Sequence, residues 1–319
     1  MKTASKYARS ACNAGLHKSL LGWAVAGVFF GASPVSATPL LSSDLANFTV
    51  LGASTVTNVP TSTIAGSVGV WSSGGANAIT GFNSSPGVAV SDPQVTGGLV
   101  HAGTAAAQSA QGQLTIARTD LASMGAGSTL INPDLAGLIL APGIYTVAAG
   151  TTNLSGMLTL DGQGNANAAW VFQMPSTLIT SPNSVVKVVN TGAGAGVYWN
   201  VGSSATIDVN TTFLGNILAL TSISMNTSAT DLCGRALANT GAVTLQQNSL
   251  SGVCSGVLGG SGGLSGGLSV VTSANGGPDT VSVLPATAVP EPATLALLSI
   301  GLAGLGFALR RPATGAAIA

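Results

Sequence analysis

From residue 196 onward the chain alternates apolar and polar residues in short runs broken by small residues. "GVYWNV" is followed by "ATIDV", "FLGNILAL" by "SISM" and "CGRALA" by "AVTLQ"; earlier, "AWVFQM" is followed by "TLIT". Aligning Ile207, Ile223 and Val243 sets an imperfect repeat with steps of 16 and 20 residues. A unit that short cannot enclose a core alone, but stacked copies can, as the coils of a β-helix. Period two then turns Ile207, Val209, Ile223, Met225, Val243 and Leu245 inward. It leaves Thr206, Asp208, Ser222, Ser224, Ala242 and Thr244 on an outer face whose coils lie about 4.8 Å apart.

One stretch departs from this pattern. Residues 97–124 carry no turn signal for most of their length and place small or apolar residues at Ala102, Ala105, Ala106, Ser109, Gly112, Ile116 and Leu121. This spacing predicts a long helix lying close along a flat side of the solenoid. After it, "LAGLILAPGIYTV" (135–147) and "LSGMLTLDGQGNANAAWVFQM" (154–174) return to short strands broken by Pro-Gly and Asp-Gly turns. Residues 48–59, 63–71 and 76–82 are strand-like too, so sequence on both sides of the helix feeds one stack. From 255 to 288 the chain is rich in Gly and Ser and reads as a flexible linker, which puts the solenoid domain at 38–254.

Charge narrows the partners. Between residues 38 and 288 the only cations are Arg118, Lys187 and Arg235, set against eight aspartates and no Glu, so nucleic acid is not an expected partner. The aspartates are scattered rather than clustered for acid–base work. Asp161 opens an Asp-Gly turn, Asp134 follows Asn-Pro and Asp92 precedes Pro, all ordinary turn chemistry. A mature chain with one His offers no zinc spacing, "DGQGNANAA" lacks the later acidic ligand of a calcium loop, and "GAGAG" lacks the Lys of a phosphate loop. No metal, cofactor or enzymatic activity is expected.

Both ends carry address signals. Residues 1–37 read as a signal peptide, with Lys2, Lys6, Arg9 and Lys18 before an apolar run and Val35-Ser36-Ala37 at the cleavage site. Its removal takes Cys12 and leaves Cys233 and Cys254 as an even pair in an oxidising compartment. That favours a disulfide closing the last coil, with two free thiols as the alternative. At the other end "VPEP" precedes a 17-residue apolar run (293–309), Arg310-Arg311 and a tail at 312–319. Residues 289–311 resemble a PEP-CTERM sorting signal. The resemblance implies that an exosortase of a Gram-negative bacterium reads Val289, Pro290, Glu291 and Pro292 while the C-terminal helix sits transiently in the inner membrane. The product is then secreted, or kept at the cell surface or in the extracellular matrix. A permanent C-terminal anchor is the alternative, since the run is close to the shortest that spans a bilayer.

The succession "NFTVLGASTVTN", "LAPGIYTV", "LSGMLTLDGQGNANAAWVFQM", "GNILALTSISMN" and "GRALANTGAVTLQQN" resembles the microbial ice-binding (antifreeze) protein family over about residues 40–254. That resemblance implies a mainly β fold, a discontinuous right-handed β-helix of triangular cross-section with one long α-helix alongside, and coils from before and after the helix interleaved. It also implies a flat face that adsorbs to ice and inhibits its growth and recrystallisation. Carried onto this chain, the face holds Thr206, Ser222, Ser224, Ala242 and Thr244, with Asp208 among them. Thr159 and Thr180 extend it, and Thr55, Thr57 and Thr80 are contributed by the coils before the helix. The motif Thr-(Ala/Gly)-x-(Thr/Asn) of some members occurs as Thr80-Gly81-Phe82-Asn83. The rival reading is a non-catalytic cell-surface or biofilm-matrix protein that uses the same face for glycan or protein contacts.

Overall fold

The computed structural model describes residues 38–72, 78–271 and 279–288; the signal peptide expected at 1–37 and the sorting segment and tail expected at 289–319 lie outside the described residues. Parallel strands stack on three faces. The first face holds, in spatial order, Ser128–Leu130, Gly143–Val147, Ala169–Met174, Gly196–Val201, the ends of Thr212–Ala219 and Thr230–Ala238, then Phe48–Gly52, Ser67–Val70 and Val100–Ala102. The second holds Leu178–Ile179, Ala205–Ile207, Ile223–Met225, Val243–Leu245, Val56–Asn58 and Ile79–Thr80. The third runs from Ile139–Leu140 through Met157–Asp161, Val185–Val189 and the starts of the two long strands to Ser249–Ser251, Thr63–Ala65 and Val95–Thr96. Thr212–Ala219 serves two faces because it turns a corner at an irregularity after Phe213: Thr212 pairs with Val185 on the third face, and Asn216 with Tyr198 on the first.

The chain order of the coils is broken once, as expected, but the two sets do not alternate. The coils before the helix sit as a block on the last coil after it. Val50 pairs with Ala236, Val56 with Val243 and Thr63 with Ser249. The helix returns the chain from one end of this stack to the other; its 19 residues span about 28 Å. The disulfide Cys233–Cys254 is formed. It does not close an open end: it ties the coil on which the block rests, so it reinforces the joint.

Two apolar layers explain the sequence pattern. Inside the solenoid lie the inward residues of all three faces, threaded by Tyr145, Phe172, Trp199 and Phe213, with Phe172 and Trp199 stacked at 4.0 Å between ring centroids. The first face is buried on its outer side too, where Phe48, Leu51, Val171, Tyr198, Leu218 and Leu237 meet the helix Ala105–Ser123. Its strands therefore read as nearly continuous apolar runs, such as "AWVFQM" and "GVYWNV", each interrupted once by an amide, Gln173 or Asn200. The open second face keeps its alternation in "ATI", "ISM" and "VTL".

Register and helix phase depart from the sequence reading in detail. Ile223 pairs with Ala205, not Ile207, which lies beside Met225; matching aliphatic bulk misplaced that rung by one inward position. Val209 leaves the strand for a turn before Asn210, whose φ is 57°. The helix starts only at Ala105, where the Thr104 hydroxyl accepts the Ala107 amide at 3.2 Å. It buries Ala107, Ala110, Gln111, Leu114, Ala117 and Leu121. Of the expected stripe only Leu121 is on this face. Ala102 is buried in a strand, and Ala105, Ala106, Ser109, Gly112 and Ile116 are exposed.

Residues 255–288 are not a free linker in their described parts. Leu258, Leu264, Leu268 and Val270 are buried, and Leu268–Val271 pairs with Thr38–Pro39 and Thr280–Val283 in a small antiparallel sheet. The Gly run lets its backbone lie against the first face. A Cβ on Gly196 would strike the Gly266 carbonyl. Arg235, itself buried, donates to Asn216 Oδ1 and Gly262 O, both at 2.9 Å, and to Ala46 O at 2.7 Å, tying the run to both halves of the stack.

Candidate binding face

With the first face covered, the second is the open, regular one. Its central outward rank is Ile179, Thr206, Ser224, Thr244, Thr57 and Thr80, each paired with the next in one unbroken register. Parallel pairing sets the step between neighbours at about 4.8 Å, so the five hydroxyls form a straight row roughly 19 Å long. Beneath them Ala205, Ile223, Val243, Val56 and Ile79 point into the core and hold the strands flat. No protein group among the described residues hydrogen-bonds any of these five hydroxyls; Thr80 is exposed and the other four are half-buried.

A second rank, one outward position earlier, contains Ser204, Ser222, Ala242 and Thr55; the backbone ladder continues through it from Ala205 N–H to Ser222 O, Ile223 N–H to Ala242 O and Val243 N–H to Thr55 O. Here the Ser222 hydroxyl is already engaged, accepting the Ala242 amide at 3.1 Å. Ser204 was not singled out from sequence, although it precedes Ala205 as Ser222 precedes Ile223. On the other margin Asp208 is half-buried, and its Oδ1 accepts both Asn226 Nδ2 and the Val209 amide at 2.8 Å. The one charge at the edge of the face is thereby held by its neighbours, and Asn226 is a further marginal residue that sequence reasoning missed.

Two expected members fall elsewhere. Thr180 is 2% exposed: the strand Leu178–Ile179 presents Ile179 outward, and the Thr180 hydroxyl turns into the corner, where it accepts the Asp208 amide at 2.8 Å and pairs with Thr211 Oγ1 at 3.2 Å. Thr159 is outward but on the third face, between Ile139 and Lys187. That face has a shorter hydroxyl row of its own, Thr212, Thr230, Ser249 and Thr63 in register, which the sequence did not reveal. It is interrupted by bulk and charge, with Leu232, Met157 and Lys187 exposed along it. The hydroxyls of Thr63 and Ser249 also pair with each other at 3.2 Å.

Three further aspartates do turn work. Asp92 accepts the amides of Asn83 and Gln94, both at 2.7 Å, and Asp134 accepts the Ala136 and Ser155 amides at 3.0 Å and the Ser155 hydroxyl. Asp161 accepts the Gln163 amide and Asn190 Nδ2, which hold its carboxyl below the usual range. Among the described residues no three His, Cys, Asp or Glu side chains converge as a metal-holding group.

A solenoid whose open second face carries five hydroxyls in register offers a flat surface for binding rather than a cleft. The chain belongs to the ice-binding-like family, whose family model matches residues 50–251, and it is a binding protein rather than an enzyme. A second match, the PEP-CTERM protein-sorting motif over 288–311, marks it for exosortase sorting to the cell surface or beyond. The ice-binding protein of Nostoc sp. (strain HG1) is 40% identical over 266 residues, covering 83% of this chain and 84% of that one. The ice-binding protein of Flammulina populicola is 32% identical, covering 74% and 98%. Among solved structures, an ice-binding protein from an Antarctic biological consortium superposes with a TM-score of 0.56 at 34% identity, covering 67% of this chain and 91% of that one. One from the ascomycete Antarctomyces psychrotrophicus gives 0.58 at 29%, covering 68% and 98%.

Proposed function

We propose that this protein adsorbs to ice through its second face and thereby restrains ice growth and recrystallisation, with Thr206, Ser224, Thr244, Thr57 and Thr80 as the contact row and Ser222, Ala242, Thr55 and Asp208 at its sides. The observation that carries this reading is the unbroken register of five hydroxyls that no group among the described residues engages. Each hydroxyl can hold a water, each Thr methyl restricts where that water sits, and the coil spacing repeats the arrangement every few ångströms. A charged side chain in the row would impose its own hydration shell; none is present. The bonded Asp208 lies at the margin. Sorting through Val289, Pro290, Glu291 and Pro292, with transient passage of 293–309 through the inner membrane, delivers the solenoid to the extracellular matrix or cell surface, where ice forms.

The test is ice growth and recrystallisation in the presence of residues 38–288, comparing wild type with Ser224→Tyr and Thr244→Tyr and, as third-face controls, Thr159→Tyr and Thr230→Tyr. Folding of each variant is checked by circular dichroism. Faceted or arrested crystals with wild type and both controls, lost with the second-face variants, support the reading. Loss with Thr230→Tyr alone moves the contact to the third face, and unaltered growth with wild type removes the function.

A further inference from the structure

The last described residues are strapped down. The Leu284 amide donates to Gly267 O at 2.9 Å, Asn167 Nδ2 to Pro285 O at 3.1 Å, the Thr287 amide to Asn165 Oδ1 at 3.1 Å and the Ala166 amide to Thr287 O at 2.6 Å. Ala288 bridges Asn165. The strap thus closes up to the residue before Val289. Residues 165–167 form the turn between the third-face strand Met157–Asp161 and the first-face strand Ala169–Met174. In a three-sided coil the vertex joining the first and third faces is the one opposite the second. The strap is therefore fixed on the far side of the molecule from Thr57, Ser224 and Thr244.

We infer that the strap is an orienting device: when the chain is held at a surface through residues beyond 288, the solenoid stands with its hydroxyl face directed away from that surface, and the molecule acts as an adhesin joining the surface to ice. The adhesin role rests on the ice-binding reading of the second face; the orientation does not. Reach decides the matter. Only Val289–Pro292 separate the strap from the apolar run 293–309, at most about 14 Å of extended chain. A free tether over 255–288 would instead have an end-to-end distance of about 30 Å and let the face turn in any direction.

The test uses residues 38–319, the form that still carries its apolar run, reconstituted in phosphatidylcholine vesicles, with Ser224→Cys or Ala193→Cys as the one free thiol, Cys233 and Cys254 being bonded to each other. Ala193 is exposed on the turn at the strap's vertex. Labelling with a polymer-coupled maleimide proceeds at similar rates for both variants in detergent. On vesicles Ala193→Cys slows by about tenfold while Ser224→Cys keeps its rate. A flexible Gly/Ser insert between Ala288 and Val289, which leaves the solenoid untouched, abolishes the protection. Equal rates on vesicles, or protection that survives the insert, overturn the orientation. Adhesion to ice is scored separately on vesicles carrying the unlabelled chain without either cysteine substitution: protection without adhesion, from a protein that does alter ice growth in solution, overturns the adhesin role alone. Failure in solution as well overturns the ice reading beneath it.

Discussion

Asp231 sits inside the coil that carries the joint, fully buried, with no hydrogen-bond partner of good geometry for either oxygen among the described residues. Burial pushes its carboxyl well above the usual range, and the nearby Cys233 and Gly215 amides and the Arg235 guanidinium only oppose the shift. The sign of the linkage follows. Stability from the neutral carboxyl is fully present below its unfolded pKa of about 3.9 and is lost as pH rises toward the higher folded value, because the unfolded chain ionises first. Asp231→Asn removes the ionisation, so its advantage in melting temperature over wild type should grow between about pH 4 and pH 7; a constant difference in calorimetry rejects the assignment. No sequence pattern announces such a group. What the sequence did announce were Thr206, Ser224 and Thr244, because period two within a repeat puts them outward whichever face they occupy. Thr180 was misread because "TLIT" ends in the more hydroxyl-rich residue, while the corner beyond it needed a hydroxyl to accept the Asp208 amide. Thr159 was misread because alternation tells inside from outside but not which of three faces is outside.

The long helix shows what an element's sequence leaves undetermined. Ala at 105, 106, 107 and 110 makes helix formation favourable but gives little information on phase, since every face of the first turns is small. Phase comes from the Thr104 cap and from Leu114 and Leu121, the large residues that fill the layer against Leu218 and Leu237. Polar side chains then lock it. Gln111 Nε2 donates to Asn239 O at 2.7 Å, and Arg118 Nη2 to Val201 O at 2.9 Å, at the ends of first-face strands. Two substitutions separate the expected stripe from the observed one. Leu114→Ala should cost about 3 kcal/mol through the cavity it leaves, whereas Ile116→Ala, at a side chain 57% exposed, should change stability by no more than about 0.5 kcal/mol. Urea midpoints of the two variants decide between the phases. The first-face strands were legible as strands, but the alternation drawn through them hid that their outer side is covered by the helix.

For the molecule as a whole, the boundary at 254 is the reading that fails, and the failure has one cause. Glycine-rich sequence suggests a tether because it lacks side chains to bury, yet the run 256–267 packs by backbone, with the Leu264 carbonyl accepting the Val197 amide at 2.9 Å and Asn216 Nδ2 at 2.9 Å. The few large residues it does carry, Leu258, Leu264, Leu268 and Val270, are all buried. Each contributes roughly 1.5–3 kcal/mol of burial before ordering costs are subtracted. Residues 38–254 alone should therefore be less stable than 38–288 by several kcal/mol, with Tyr198, whose hydroxyl donates to Gly266 O, newly open to water. The second face lies across the interior from this seam and keeps its register in both fragments. Near freezing, both should shape ice; on warming, the shorter fragment should melt first and lose its near-ultraviolet signal as Tyr198 is released. Equal melting temperatures would mean that the Gly run decorates the solenoid rather than completing it. Earlier loss in the shorter fragment, with ice shaping intact in the cold, would establish that the unit that folds ends at the strap, while the surface proposed to meet ice is built by the coils alone.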